Sequence, residues 1–312
     1  MRGKHRSGTD AALRIGAGAA GLTAGLYAGR ANMDTLLLEK FTPGGQAALT
    51  AFVENYPGFP DGVSGFELMD NMRRQATNFG LEIQTTEVKF ISRHDDLFCI
   101  GTSACEINTR TIIVCTGVRP RKLDVPGEQE LFGKGISTCA TCDGSFYRGM
   151  EVAVIGGGDS AIEEGLYLTR FASKVHIIHR RDKFRALAPF VEKARKEPKV
   201  EFHLDTVVTA VNGGGQVESV SLKNVKTGAE STLPVAGVFL YIGLIPNTEM
   251  FEGFLEMNKQ GFIKVDGILQ TSVPGVFAAG DVRETPLRQI ITAAADGAVC
   301  AYSAGKFLEK IE

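Results

Sequence analysis

Net charge is nearly absent from this chain: 34 Lys and Arg stand against 36 Asp and Glu, a balance of −2 over 312 residues. A surface so balanced has no field to gather a polyanion, so neither nucleic acid nor an anionic membrane is expected as a partner. A membrane-spanning run is lacking as well. The Gly/Ala-rich stretch Ile15 to Gly29 is only 15 residues long between Arg14 and Arg30, short of the roughly 20 a membrane helix needs. It follows a basic Met1 to Arg6 and superficially resembles a secretory signal, but its glycine spacing has another explanation, given below. Residues 1–9 read as a disordered leader. Cysteine is sparse: six, at 99, 105, 115, 139, 142 and 300. A disulfide-stapled secreted protein would be shorter and denser in cysteine, so a reducing compartment, the cytoplasm, fits better. Only 139 and 142 are close together; the other four lie in apolar contexts that suit buried, inert thiols.

What the chain has in quantity is glycine, 37 residues, clustered where tight turns meet ligands. Its length is comfortable for two domains. Gly16-Ala17-Gly18-Ala19-Ala20-Gly21 is a G-x-G-x-x-G turn, with a strand expected over 11–15, an Ala-rich helix to about Arg30 and a second strand ending at Glu39. Glycines there let a pyrophosphate approach the helix N-terminus, and an acid some 20 residues on binds ribose hydroxyls. Arg14 makes the first strand imperfect, because a buried parallel strand should be apolar throughout. Pro43-Gly44-Gly45-Gln46 and Glu54-Asn55-Tyr56-Pro57-Gly58-Phe59-Pro60 are either ordinary loops or loops that wrap a flat ligand. Ser64 to Glu67 predicts a capping box opening a helix to about Asn78.

The pattern then repeats. An apolar strand over 151–155 leads into Gly156-Gly157-Gly158-Asp159-Ser160-Ala161, a G-x-G-x-x-A turn, followed by a helix, a strand and a helix predicted over 184–195. Both halves share the order strand, Gly turn, helix, strand, helix, three-stranded meander, strand, Gly, which reads as duplication of one nucleotide-binding unit. They differ where a ribose is read. The first ends in Glu39; the second ends in His179-Arg180-Arg181, with Arg185 beyond. A carboxylate suits free hydroxyls, whereas clustered arginines suit a 2′-phosphate or, alternatively, are a solvated basic helix start. The tail offers Gly280-Asp281 at the end of an apolar strand and Arg288-Gln289-Ile290 at a helix start. That arrangement either serves a polar ligand or is a plain Asp cap.

Between the repeats lies Cys139-Ala140-Thr141-Cys142-Asp143-Gly144. The spacing suits a redox dithiol with an adjacent proton carrier, half of a zinc site, or two packing cysteines. Zinc would need a second C-x-x-C or a Cys/His pair, and neither accompanies it, so no metal is expected.

Together GAGAAG, PGGQ with ENYPGFP, CATCDG, GGGDSA with HRRDKFR, and FAAGDV with PLRQI resemble, in order, the bacterial-type low-molecular-weight thioredoxin reductases. The similarity runs from about residue 10 to the C-terminus. It implies an α/β fold of two Rossmann-like, three-layer ββα domains, the NADPH domain (118–245) inserted into the FAD domain (1–117 and 246–312). It implies that Gly16, Gly18, Ala19 and Ala20 hold the FAD pyrophosphate and Glu39 its ribose. Gly45, Gln46, Asn55, Gly280, Asp281, Arg288, Gln289 and Ile290 would lie along the rest of the flavin. Gly158, Asp159, Ser160 and Ala161 would hold the NADPH pyrophosphate, and His179, Arg180, Arg181 and Arg185 its 2′-phosphate. Electrons would reach the Cys139–Cys142 disulfide through FAD, Cys142 being flavin-proximal, Cys139 exchanging with thioredoxin and Asp143 moving protons. A homodimer is implied, as is rotation of the inserted domain about strands near 117–119 and 243–247. Ala19 stands where the family usually has Pro, and Leu244 where it is often polar. The rivals are a sibling reducing a glutaredoxin-like redoxin, a ferredoxin-fed reductase, which the arginines argue against, and a non-catalytic flavin or nucleotide sensor.

Overall fold

The structure, a computed structural model, describes residues 12–50 and 52–311; the leader expected over 1–9 lies outside them. By its internal contacts the chain forms two compact units. Unit one holds the residues up to Arg119 and those from Ile245 on, and unit two is Pro120–Leu244.

Unit one opens with β1 (Ala12–Ile15), α1 (Ala19–Arg30) and β2 (Thr35–Glu39). After a 3-10 turn, α2 (Gly65–Asn78) starts at Ser64, whose Oγ accepts the Glu67 N–H at 3.1 Å. This satisfies one of the amides that a helix start leaves without an intrahelical partner. Then come β3 (Glu82–Thr85), the meander β4 (Val88–His94), β5 (Leu97–Thr102) and β6 (Glu106–Thr109), then β7 (Ile112–Val114) and β8 (Val118–Pro120).

Unit two runs through a single turn α3 (Glu128–Leu131), β9 (Ile136–Ser137), a second single turn α4 (Ala140–Asp143), β10 (Glu151–Gly156), α5 (Asp159–Leu168) and β11 (Lys174–Ile178). Next are α6 (Ala188–Lys196), β12 (Val200–His203), the meander β13 (Thr206–Asn212), β14 (Ser219–Asn224) and β15 (Glu230–Pro234), and β16 (Gly237–Tyr241). The return to unit one adds β17 (Leu244–Pro246), β18 (Val276–Ala278) and the long α7 (Ile290–Leu308).

Each unit has the same three layers. Unit one has a parallel sheet in the order β18-β7-β1-β2-β3, and unit two one in the order β12-β11-β10-β16-β9. One face of each sheet meets its meander. In unit one Leu13, Ile15 and Val114 pack there against Phe98 and Ile100, and in unit two Ala153 and Ile155 pack against Val208 and Val220. The other face meets helices, with Ile113 and Phe277 under Ala20, Ala24 and Ala301, and Val154 and Ile177 under Ala161 and Ile162. Strands covered on both faces must be apolar throughout, and these nearly are.

The exception is Arg14. It forms β1 as its neighbours do, in register with Leu37 and Ile113, and is fully buried. None of its Nε, Nη1 or Nη2 atoms has a hydrogen-bond partner, and burial lowers its pKa to about 10. The strand survives because its backbone ladder and three apolar neighbours outweigh one costly side chain.

Three expectations shift. The helix predicted from 184 begins at Ala188, because the residues before it bond back to the glycine turn, as described below. Strands β3 and β12 were not foreseen: each is a short, partly polar strand on the sheet edge. Among the described residues no helix is long and apolar enough to cross a membrane. The chain crosses between the units at 119/120 and 244/245, where β8 and β17 pair in a two-stranded ladder. The sequence places the boundaries at 117/118 and 245/246.

Candidate active site

The first glycine turn is shaped by contact on one side and openness on the other. Gly16 has φ +104°, and a Cβ there would lie 2.4 Å from the Cys115 carbonyl oxygen, so only glycine fits. Gly18, the N-cap of α1, has no side-chain cap, and a Cβ on it would meet nothing within 4 Å. The helix start therefore faces open space with free amides, the arrangement that binds anions. Glu39 braces the turn: its Oε2 accepts Ala17 N–H at 2.7 Å and its Oε1 accepts Phe41 N–H at 3.0 Å. Gly45 joins the same place, a Cβ on it lying 3.2 Å from Gly18 Cα. Buried Ala19 and Ala20 contribute backbone rather than side chain.

The tail of unit one adds polar groups. Asn55 Nδ2 donates to Gln289 Oε1 at 3.0 Å, tying the 54–60 loop to the start of α7. Gln289 also accepts from the Thr292 N–H, and its own N–H donates to Thr292 Oγ1 at 3.1 Å, a capping box at the start of α7, with Ile290 the first residue of the helix. Gln46 Nε2 is engaged by the Val118 carbonyl at 3.0 Å. Burial holds the Asp281 carboxyl up at about 6, against the pull of Arg288. The Arg288 guanidinium lies 4.4 Å over the Phe262 ring, and its buried Nε has no partner. Gly280 N–H donates to Asp296 Oδ2 at 2.9 Å, and Arg283 grips the same carboxylate through two bonds of 2.7 Å. The Arg283–Asp296 pair was not foreseen; separation by 13 residues on a loop and a helix leaves no local signal.

The second turn is built alike. Gly158 caps α5 without a side-chain bond, and a Cβ there meets nothing within 4 Å. Asp159 Oδ1 accepts Leu187 N–H at 2.8 Å, while Arg185 N–H donates to the Gly157 carbonyl at 2.7 Å. These bonds fold the 180–187 segment back over the turn, which is why α6 starts late. Arg180, Arg181 and Arg185 are all exposed, and none of the three has a side-chain partner among the described residues. Ser160 is exposed and Ala161 buried at the first turn of α5.

His179 is placed differently from the arginines. It is 7% exposed, stacked 5.2 Å from Phe184, and its Nε2 lies 3.1 Å from the Lys183 carbonyl. A Cβ on Gly157 would strike the His179 ring at 2.2 Å. Burial, then the neighbouring arginines, push its pKa below the usual value, so the ring stays neutral. It supports the arginine segment from beneath.

Cys139 and Cys142 form a disulfide, with Cα atoms 5.3 Å apart; both are half-buried, Cys139 as the N-cap of α4 and Cys142 within it. A polar network holds that turn. Ser137 Oγ accepts Cys139 N–H at 3.0 Å and donates to Asp143 Oδ2 at 2.5 Å. Ala140 N–H donates to the Tyr241 hydroxyl at 2.6 Å, and Tyr241 bonds Glu164 in turn. Burial raises the Asp143 pKa, while the bond from Ser137 opposes the shift. A carboxyl raised in this way keeps its proton longer and suits proton delivery to a thiolate. Tyr241 also pairs through its backbone with Gly156, so one residue ties the dithiol to the second glycine turn. Ser137, Tyr241 and Glu164 escaped notice because serine and tyrosine carry no spacing motif.

The likenesses to known proteins agree with this geometry. A family model described as pyridine nucleotide-disulphide oxidoreductase matches residues 13–297. The thioredoxin reductase of Listeria innocua is 46% identical over 299 residues, covering 96% of this chain and 93% of that protein. That of Bacillus subtilis is 44% identical over 299 residues, again 96% of this chain. The crystal structure of thioredoxin reductase from Streptococcus pyogenes is 42% identical, covers 96% of this chain and 98% of that one, and superposes with a TM-score of 0.90. With a disulfide and two open glycine turns in such a frame, the chain is a pyridine nucleotide-disulphide oxidoreductase and belongs to the thioredoxin reductase family.

Proposed function

We propose that this chain is a thioredoxin-disulfide reductase that draws its electrons from NADPH through FAD. The observation that carries the reading is the Cys139–Cys142 disulfide, held on the same unit as a glycine turn ringed by three unpartnered arginines.

The residues of unit one fit FAD. The open amides at Gly18 to Ala20 suit a pyrophosphate, and Glu39 has lone pairs left for ribose hydroxyls. The orphaned Nε of Arg288 and the raised Asp281 carboxyl need polar partners of the kind a ribityl chain offers. Gly45, Gln46, Asn55, Gly280, Gln289 and Ile290 complete that lining. In unit two, Gly158, Asp159, Ser160 and Ala161 suit the second pyrophosphate, and Arg180, Arg181 and Arg185 the 2′-phosphate that separates NADPH from NADH. When bound, these cofactors supply a hydride and a two-electron relay that opens the disulfide.

The chain's own residues do the rest. Once reduced, the Cys139 thiolate attacks a sulfur of the partner disulfide; a mixed disulfide forms and one partner thiolate leaves. Cys142 then attacks Cys139 Sγ, restoring the internal disulfide and releasing the second thiolate. Two electrons pass to the partner, and Asp143 supplies or accepts the protons. Unit two carries both the nucleotide turn and the dithiol, so we place a hinge at the crossings near 117–119 and 243–247. A cross-link that fixes the units should stop turnover, and full activity in the fixed form would remove the hinge.

A homodimer and a cytoplasmic site complete the reading. The first is supported by family membership and by the apolar groove of Leu22, Leu26, Tyr27, Tyr56, Met72 and Ile291 along α1, α2 and α7. The second is supported by four free cysteines, which suit a reducing compartment. The deciding assay follows NADPH consumption with oxidised thioredoxin, with a glutaredoxin-like redoxin, and with neither. Consumption that depends on thioredoxin is expected; equal rates in all three would overturn the reading in favour of a sensor or an oxidase.

A further inference from the structure

Apart from the turns and the dithiol, one cluster of side chains in unit two has the geometry of a metal site. It lies on the meander-facing side of the sheet, where β11 meets the edge strand β12. His176 of β11 is 2% exposed and stands in register with Glu201 of β12, two residues before His203. Its Nδ1 is 3.1 Å from Nε2 of His203, and that Nε2 is 3.4 Å from Oε1 of Glu201. Donors bound to tetrahedral zinc at about 2.0–2.1 Å stand about 3.3 Å from one another. All three donor atoms lie within 4.8 Å of one another.

A fourth group completes the pattern. Glu151 Oε2 is 2.9 Å from His176 Nε2. Metal-bound imidazoles nearly always donate their second N–H to a carboxylate or carbonyl, which selects the tautomer and aims the free lone pair at the ion. With Nε2–H donating to Glu151, Nδ1 is left as the lone pair facing His203 and Glu201. Lys174 pairs with Oε2 of Glu201, so Oε1 remains turned toward the histidines.

We infer that His176, His203 and Glu201 bind one zinc ion, with Glu151 orienting His176 and a water in the fourth position. Two imidazoles and a carboxylate are a set that zinc uses, whereas calcium and magnesium prefer oxygen alone. The ion joins β11 to the edge strand at the base of the arginine segment, where His179 N–H donates to the His203 carbonyl at 2.9 Å. The competing arrangement is an N–H···N bond between the two imidazoles with no metal.

Metal-free, untagged holoprotein with its dithiol kept oxidised, so that Cys139 and Cys142 offer no thiolate, is titrated with zinc chloride by calorimetry. Cobalt(II) binding is followed in parallel by visible absorption. Expected are one ion per chain with micromolar or tighter affinity, cobalt bands free of thiolate charge transfer, and a thermal midpoint raised by zinc. Glu151→Gln should weaken zinc by about 10–100-fold, and His203→Ala and Glu201→Gln by at least as much. Glu201 is partly exposed, so its variant serves if His203→Ala does not fold. Binding only at millimolar zinc, affinity unchanged in both ligand variants, or thiolate charge transfer with cobalt would each overturn the assignment.

Discussion

The two glycine turns are the same device put to opposite electrostatic use. Both leave a helix N-cap uncapped, with open space where a Cβ would stand at Gly18 and Gly158. They part at the end of the next strand. In unit one, Glu39 is turned inward and accepts two backbone N–H groups. In unit two the corresponding place carries three exposed arginines on a segment pinned to the turn by Asp159 and the Gly157 carbonyl. In the function proposed above, the backbone would make a generic pyrophosphate cradle, and a few side chains at one strand end would decide which nucleotide each cradle prefers. Only unit two then adds a dithiol, tethered to its turn through Tyr241.

The comparison breaks most sharply at the dithiol. If unit two alone holds the electron exit, Cys142→Ser should abolish thioredoxin reduction, a fall of more than about 10³-fold, because the two thiols act as one unit. Oxidation of NADPH by ferricyanide should persist in the variant, since it needs no dithiol. Residual thioredoxin reduction above background would mean that a thiol besides the remaining Cys139 carries electrons; Cys99, Cys115 and Cys300 are buried, which leaves exposed Cys105 as the one to test.

A second difference lies beneath the turns. Two residues before Gly16 stands Arg14, and two before Gly156 stands Val154; both are fully buried in the central strand of a five-stranded parallel sheet. Val154 packs among apolar residues, whereas the Arg14 guanidinium is unsatisfied. Replacing a buried ion pair with well-packed hydrophobes is often neutral or stabilising by about 1–4 kcal/mol, and a buried charge with no partner has still less to offset its desolvation. Arg14→Val should therefore raise the thermal midpoint by several degrees, by calorimetry of the holoprotein. An unchanged or lower midpoint would show that the guanidinium finds compensation in unit one.

The arginine segment offers a narrower test. Two charge-assisted hydrogen bonds, each about 1.5–3 kcal/mol, are at stake in Arg180→Ala combined with Arg181→Ala. The Michaelis constant for NADPH should rise by about 10²–10⁴-fold, while that for NADH stays within a factor of about two. An equal rise for both nucleotides would mean the arginines shape the turn rather than read a phosphate.

How much of this was legible beforehand follows from the range of the interactions. The turns, α1, α2 and the dithiol are local patterns, and they appear where the spacing predicts. Glu39 could be placed by counting from the glycines, but not its inward bonds to Ala17 and Phe41. His179 was grouped with the arginines because it precedes them in sequence. Strand alternation turns it inward instead, into the gap that Gly157 leaves. The edge strands β3 and β12 are too short and polar to announce themselves. With β12 hidden, the meeting of His176 and His203, 27 residues apart, was hidden too. Glu151, Ser137, Tyr241 and Asp296 act through tertiary contacts that no spacing encodes.

The smallest expected effect concerns the two raised acids. Burial lifts both, but Asp281 is drawn back by the charge of Arg288, and Asp143 by the hydroxyl of Ser137. Removing the counterweight should let the acid rise further. A Ser137→Ala variant loses the bond that favours the Asp143 carboxylate, so its proton is held to higher pH. The ionisation governing dithiol exchange with thioredoxin should move upward by up to about one pH unit, equivalent to about 1.4 kcal/mol. The direction is fixed by the chemistry: the hydroxyl donates to the charged form, so its loss can only disfavour that form. Stopped-flow exchange rates across the acid range give the profile, with Asp143→Asn as the control in which the ionisation vanishes. A downward shift in Ser137→Ala, or a profile unchanged in Asp143→Asn, would take Asp143 out of the proton path and leave Tyr241 or Glu164 as the group to examine next.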